Sequence, residues 1–245
     1  MRIEYNIFSR GTETDSNSTG YMAISELVGG KRYIMPIGHN IDICEEIPDG
    51  SIEIKSNASV YQIAFARFAL ISKLLLNRCK FSKKSKILVC GCGCVGYALL
   101  FNLKQMGFNN VIFTSRHQTI FNEYQWIDIK NIDFSQYEII FDTTGANEII
   151  ESILDRCAPL STIVLLGTHR HAPQIDILRI HRKNLVLMGA HELFGYSNNI
   201  RQKTFDQVLR LICKSRMDLS SVCGVVKSFG NKSDKIYQII RKKYD

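Results

Sequence analysis

The residues best suited to binding chemistry stand at the end of one apolar run. Lys86-Ile-Leu-Val-Cys90 passes at once into Gly91-Cys92-Gly93-Cys94-Val95-Gly96, and apolar residues at helical spacing follow from Val95 to Met106. A GxGxxG run set between a strand and a helix is suited to cradle a pyrophosphate. Gly91 would permit the tight turn, Gly93 would let backbone approach the phosphates, and Gly96 would let the helix pack on the strand. The helix N-terminus adds N–H donors and the positive end of its dipole. A tight turn that holds no ligand is the alternative reading of the same residues.

A second position discriminates among dinucleotides. About 20 residues beyond the glycines, a carboxylate at the end of the next strand would hold the ribose hydroxyls of NAD. This chain has Thr114-Ser115-Arg116 there. A hydroxyl and a guanidinium suit the 2′-phosphate of NADP, because arginine grips phosphate through forked, charge-assisted hydrogen bonds. The missing carboxylate also counts against S-adenosylmethionine and hence against a methyltransferase. A surface arginine without a ligand is the plainer alternative. Thr143 and Thr144, in Asp142-Thr-Thr-Gly145, and Gly167 and Thr168, in Leu166-Gly-Thr-His169, each follow an apolar strand. In open α/β sheets ligands lie outside the carboxyl ends of strands, so these loops are expected to border the cofactor.

Proton-transfer candidates follow the later strands. His169, His171 and His191 with Glu192 stand in such loops, and Tyr196 is a lesser candidate. Histidine titrates nearest neutral pH, although a loop histidine is as readily a solvated polar residue. Cys92 and Cys94 would lie where a helix N-terminus favours a thiolate, but a pyrophosphate would fill that same place. The chain's 8 cysteines contain only one cluster, Cys90-Gly-Cys92-Gly-Cys94, whose spacing does not match zinc-binding pairs. They read as reduced, mostly buried thiols, with no metal site.

These loops need a scaffold. Apolar runs at 86–90, 111–114, 138–142, 162–166 and 184–189 alternate with helical stretches at 95–106 and about 146–157, and with a short helix after Gln174. Continuous apolar strands alternating with helices predict a parallel sheet covered on both faces. The expected fold class is α/β, a Rossmann-type doubly wound sheet with a small, mostly-β N-terminal domain. Residues 1–56 hold short strands and loops, among them Arg32–Pro36 and Ser51–Ile54, punctuated by glycines and by Pro48-Asp49-Gly50. A buried helix is predicted over Ala58–Asn77, with Asn57 as its cap. Residues 57–200 then form the dinucleotide-binding domain. Residues 201–245 form a helical segment returning to the N-terminal domain, with amphipathic helices over Arg201–Lys214 and Ser233–Lys243 and the stretch Val222–Val226 between them.

Composition is that of an ordinary globular chain: 245 residues, 45% hydrophobic, 22% charged and only 4 prolines. No apolar run reaches the roughly 18 to 20 residues that cross a bilayer, and the first residues lack the pattern of a secretory signal. A cytoplasmic protein without a membrane partner is expected. The formal charge of +8 invites a nucleic-acid reading. The basic residues, however, cluster only at Lys80–Lys86 and Arg241–Lys243, so no nucleic-acid partner is expected, and a small phosphorylated ligand suits the charge equally well.

On these motifs the chain resembles the medium-chain dehydrogenase/reductase superfamily, the alcohol dehydrogenase and quinone oxidoreductase group. The likeness is best from about Ile47 to Gly189. It covers Ile47-Pro-Asp-Gly50, the long helix, Gly91–Gly96, Phe141-Asp-Thr-Thr-Gly145 and Leu165-Leu-Gly167, with Ser115-Arg116 similar to the NADP-preferring branch. Ser9-Arg10-Gly11-Thr12-Glu13 resembles the family's segment in which a cysteine binds catalytic zinc. Arg10 stands in place of that cysteine, and a guanidinium cannot ligate a metal. The resemblance therefore implies a zinc-independent member, with Thr12 taking the hydroxyl role and Glu13 a supporting one. Gly38-His39-Asn40 looks like a second ligand motif but is read as a chance match, lying too close to Ile47. Between Glu13 and Ile47 the chain is shorter than the family pattern, so the catalytic domain is truncated. The family's habit of pairing along the edge of the nucleotide domain implies a homodimer through Asn184–Gly189.

The resulting expectation is a zinc-independent, NADP(H)-dependent oxidoreductase acting on the carbonyl or alcohol of a small metabolite in a biosynthetic pathway, with Thr12, His169 and His191 as catalytic candidates. The competing expectation is a noncatalytic dinucleotide-binding protein, redox-sensing or partner-binding, derived from such a dehydrogenase.

Overall fold

The computed structural model describes residues 1–8, 22–27, 29–116, 121–169, 172–226 and 235–242. Thr12, the rest of the Ser9–Glu13 segment, and His171 lie outside these described residues. The chain divides into two compact units, residues 1–70 with 192–245 and residues 71–191.

The first unit begins with β1 (Arg2–Phe8), β2 (Ala23–Glu26), β3 (Arg32–Met35) and β4 (Ile52–Ile54), an antiparallel run in which each strand pairs with the next. Helix α1 (Val60–Arg78) follows, and the division between units falls inside it. Asn57 is not its cap. Ser59 and Gln62 form a reciprocal box instead: Gln62 N–H donates to Ser59 Oγ at 3.3 Å, and Ser59 N–H donates to Gln62 Oε1 at 2.9 Å. By length and composition α1 could cross a bilayer, yet 67% of it is buried within the protein.

The second unit is the parallel sheet with its helices. Its elements are β5 (Ile87–Cys90), α2 (Cys94–Gln105), β6 (Val111–Thr114), β7 (Gln125–Trp126), β8 (Ile139–Asp142), α3 (Asn147–Arg156), β9 (Thr162–Leu165), α4 (Ile177–Arg182) and β10 (Val186–Gly189). The sheet order is β10-β9-β8-β5-β6-β7, with every pairing parallel. Numbered within this unit, that is the doubly wound order 3-2-1-4-5-6 read from β7, and it reverses between β5 and β8. Leu88, Ile140 and Ile163, one from each central strand, are fully buried with Ile150 and Ile153 of α3 in one core cluster. Such burial on both faces explains why these strands read as continuous apolar runs. At the C-terminus of α3, Lys183 Nζ donates to the carbonyls of Leu154, Asp155 and Cys157, groups that a helix end leaves without partners.

The chain then returns to the first unit with α5 (Asn198–Ser215), β11 (Cys223–Val225) and β12 (Tyr237–Arg241). The first unit's sheet has the order β11-β12-β1-β2-β3-β4. Here the sequence reading fails, since the segment expected as a helix over Ser233–Lys243 contains β12. Ile7 of β1 pairs with Ile239, and Cys223 of β11 pairs with Tyr237. Tyr237, Ile239 and Ile240 are aromatic or β-branched, types that favour a pleated surface. Tyr237 and Ile239, two residues apart, are both fully buried, whereas Arg241 is exposed. Pairing with β12 also covers what would otherwise be an open edge of β1.

Candidate functional site

The site in the second unit lies at the carboxyl ends of β5 and β8, where Cys90 and Asp142 stand side by side in parallel register and the strand order reverses. Ligands in such sheets occupy the crevice at this reversal. Gly91 turns with φ +96°, a conformation that favours glycine, and a Cβ there would stand 2.7 Å from Thr143 Oγ1 and 2.9 Å from Thr144 Cγ2. A Cβ on Gly96 would strike the backbone of Gly91 and the Thr143 hydroxyl. Over Gly93 the space is open, with nothing within 4 Å. Gly93 is also the N-cap of α2 and supplies no side-chain cap, so no side chain of the cap takes up the first-turn N–H donors. Val95, in that first turn, is half-buried.

The neighbouring loops support this turn. The Thr143 hydroxyl lies 2.9 Å from the carbonyl of Cys90 and 3.0 Å from that of Gly91, and Thr143 N–H also donates to Cys90. Gly91 N–H donates to the Thr114 carbonyl at 2.8 Å, linking the turn to the end of β6. Beyond it, Ser115 Oγ accepts from the Trp126 indole N–H at 3.2 Å, and Arg116 is exposed. Gly145, at φ +62°, packs on the backbone of Thr168, and Gly167 packs on the backbone of Thr143, Thr144 and Gly145. The structure thus brings Gly91, Gly93, Gly96, Thr143, Thr144, Gly167 and Thr168 together at one end of the sheet.

Asp142 is fully buried beneath this loop. Its Oδ1 accepts from Thr144 N–H at 2.8 Å and from the Thr144 hydroxyl at 2.6 Å. Burial pushes its carboxyl above the usual carboxylate range, against the opposing pull of the Thr144 hydrogen bonds and of His169. His169 stands with Nε2 3.6 Å from Asp142 Oδ2 and Nδ1 3.4 Å from Asn147 Oδ1. Both of its nitrogens are therefore turned toward protein oxygens. His191 is exposed just past β10.

All 8 cysteines are free thiols. Cys90 lies beside Asp142 on the neighbouring strand, where burial and then that carboxyl raise its thiol far above the ordinary range. Among the described residues no group of three or more His, Cys, Asp or Glu side chains could hold a metal ion. His39 is a buried histidine of the first unit. Burial holds its imidazole below the ordinary value, against hydrogen bonds to the backbone of Ile7 and Met22.

The sequence reading missed one cluster in the first unit. Glu192, 4% exposed, contacts Arg67 Nη2 through Oε1 and lies 3.4 Å from Arg201 Nη2 through Oε2. Burial pulls the Arg201 guanidinium below its usual value, and the charge of Asp49 opposes that shift. The available signal was Arg67 itself, set in Ile63-Ala-Phe-Ala-Arg67-Phe-Ala-Leu70 with apolar neighbours on every side, because an arginine buried in such a run requires a carboxylate.

No protein-family model and no curated protein matches the sequence. Solved structures do match in three dimensions. TarJ of S. aureus shares 15% identity at a TM-score of 0.73, over 98% of this chain and 89% of that one, and a second TarJ structure is in complex with NADPH. The 2R,3R-butanediol dehydrogenase of Bacillus subtilis matches at 12% identity and TM-score 0.69, over 99% of this chain and 91% of that one. A short chain alcohol dehydrogenase of E. coli CFT073, complexed with NADH, matches at 12% identity and TM-score 0.69, over 98% and 90%. At these identities the likeness shows the fold alone, which this chain shares with TarJ and the two dehydrogenases.

Proposed function

We propose that the protein is an NADP(H)-dependent oxidoreductase that transfers a hydride to or from the carbonyl or alcohol carbon of a small metabolite. The observation that carries this reading is the glycine turn at the β5/β8 reversal, open over Gly93 and tied by Thr143 to the next loop. The dinucleotide complexes of TarJ and of the E. coli dehydrogenase support a nicotinamide cofactor on this fold. Preference for the 2′-phosphate rests on Ser115 and Arg116, which stand where an NAD site would carry a carboxylate.

When bound, the cofactor supplies the hydride chemistry. The chain's own work is to seat the pyrophosphate on the α2 N-terminus, to hold the loops after β8 and β9 in place, and to offer a proton donor. Thr12 and His191 are the proposed donors, and with Arg10 in place of a cysteine the reaction is proposed to proceed without zinc. His169 suits that role less well, since Asp142 and Asn147 face its nitrogens. That observation favours the second reading, a noncatalytic dinucleotide-binding protein. The proposed partner is a small molecule, with no nucleic acid or membrane.

A homodimer is proposed through β10. This strand forms one edge of the second unit's sheet, and Val186 on it is 47% exposed. Such an edge offers unpaired backbone groups to a second copy.

The test is a parallel titration with NADPH and NADH followed by nicotinamide fluorescence, repeated with Arg116→Ala. A preference for NADPH that is lost in the variant supports the reading, and binding of neither nucleotide at near-millimolar concentration defeats it. Turnover of a panel of aldehydes, ketones and alcohols separates an enzyme from a noncatalytic binder.

A further inference from the structure

Two buried polar atoms of the second unit face each other without a hydrogen-bond partner among the described residues: Asp142 Oδ2 and His169 Nε2, 3.6 Å apart. That separation exceeds a hydrogen bond, yet each atom is closed off from solvent, where an unsatisfied polar group costs free energy. The other ring nitrogen, Nδ1, faces Asn147 Oδ1 at 3.4 Å. Both ring nitrogens therefore point at oxygen acceptors. A neutral imidazole has one N–H and can satisfy one of them, whereas an imidazolium satisfies both.

The pair does not stand apart from the glycine turn. Asp142 Oδ1 holds both the N–H and the hydroxyl of Thr144. The Thr144 and Thr143 side chains lie against Gly91, and the Thr143 hydroxyl bonds the Cys90 and Gly91 carbonyls. His169 comes from the loop after β9, whose Thr168 backbone packs on Gly145. A continuous set of contacts thus runs from the imidazole through one carboxylate to the turn.

We infer that Asp142 and His169 are a positioning pair: the attraction between a protonated imidazole and the buried carboxylate locks the loop after β8 to the loop after β9, and the locked loops set the affinity of the glycine turn for the dinucleotide. This rests on the dinucleotide reading above and deepens it. Neither residue is assigned contact with the reacting atoms. The groups facing the pair are the Cys90 thiol on β5, held protonated by burial, and the uncharged Asn147 at the start of α3. With the proton present, the charge on the imidazole answers the buried carboxylate. Without it, the ring is uncharged and a lone pair faces one of the two oxygen acceptors, so the lock loosens. Affinity should therefore fall when that proton is lost.

The experiment uses the full chain in two arms. In the first, without nucleotide, 15N-histidine NMR is recorded for the protein and for His169→Ala, so that the signals lost identify His169. Two protonated nitrogens at near-neutral pH support the ion pair, and a plainly neutral ring there overturns it. In the second, NADPH affinity is titrated across the neutral range. The expected result is a wild-type Kd that rises with pH, a loss of about tenfold in His169→Ala at low pH, and partial recovery in His169→Gln with no pH dependence. A merely structural role would lower affinity without flattening the profile. Wild-type affinity and pH profile in both variants overturn the positioning role. If the wild-type protein binds no NADPH, the dinucleotide reading fails and the positioning role falls with it, an outcome distinct from unchanged binding by the variants.

Discussion

The hydroxyl of Thr143 lies 2.9 Å from the carbonyl oxygen of Cys90, so the loop after β8 is bonded to the last residue before the glycine turn. Replacing Thr143 by valine keeps the shape and removes the donor. Thr143→Val should destabilise the second unit by about 1 to 2 kcal/mol and weaken NADPH binding. Urea unfolding and nicotinamide fluorescence would measure the two effects.

The glycines of the turn should separate by role. A methyl at Gly96 meets backbone, so Gly96→Ala should cost about 1 to 3 kcal/mol through overpacking. At Gly93 nothing lies within 4 Å and the backbone is extended, with φ −79°. Gly93→Ala should therefore melt like the wild type while losing affinity for NADPH. Equal affinity in that variant would show that no ligand approaches this backbone.

Much of this site was legible because its constraints are local. Strands buried on both faces show as apolar runs, and a glycine turn shows in its spacing. What stayed hidden depends on distant partners. Glu192 reads only as a companion of the proton-transfer candidate His191 until α1 brings Arg67 and α5 brings Arg201 to its two oxygens. Asp142 closed a predicted strand, but nothing nearby in sequence announced His169 as its neighbour. The strand β12 was misread as a helix because its alternation spans only Tyr237–Arg241 and its partner β1 stands at the other end of the chain.

Removing the charge of Glu192 tests the buried cluster. Glu192→Gln leaves two arginines without their carboxylate and should cost about 3 to 5 kcal/mol, the penalty for breaking a buried pair. Thermal melting of the variant against Arg67→Met/Glu192→Gln would show whether removing one arginine as well recovers part of the loss.

Asp49 should contribute to acid sensitivity. A hydrogen bond from Asn198, followed by one from Gly50 N–H, holds its carboxyl below the usual carboxylate range. A depressed carboxyl adds stability above its unfolded value and loses it as pH falls toward the folded one. Asp49→Asn should flatten the acid limb of the stability curve, read as melting temperature against pH.

The proposed dimer has its own check. Val186→Lys places a charge on the exposed edge strand and should convert a dimer to a monomer by mass in solution, with NADPH binding retained. An unchanged mass would move the interface elsewhere.

The pairing of β1 with β12 has a consequence for how the protein is made. A ribosome delivers residues 71–191 as one uninterrupted stretch, so the parallel sheet can close while synthesis is still under way. The other sheet cannot. Strand β1 is made before the parallel sheet, yet the strand that must lie beside it begins at Tyr237 and arrives only after the whole parallel sheet has been released. Until then β1 waits as an open edge, and the nascent chain carries one finished unit and one that still lacks its neighbour.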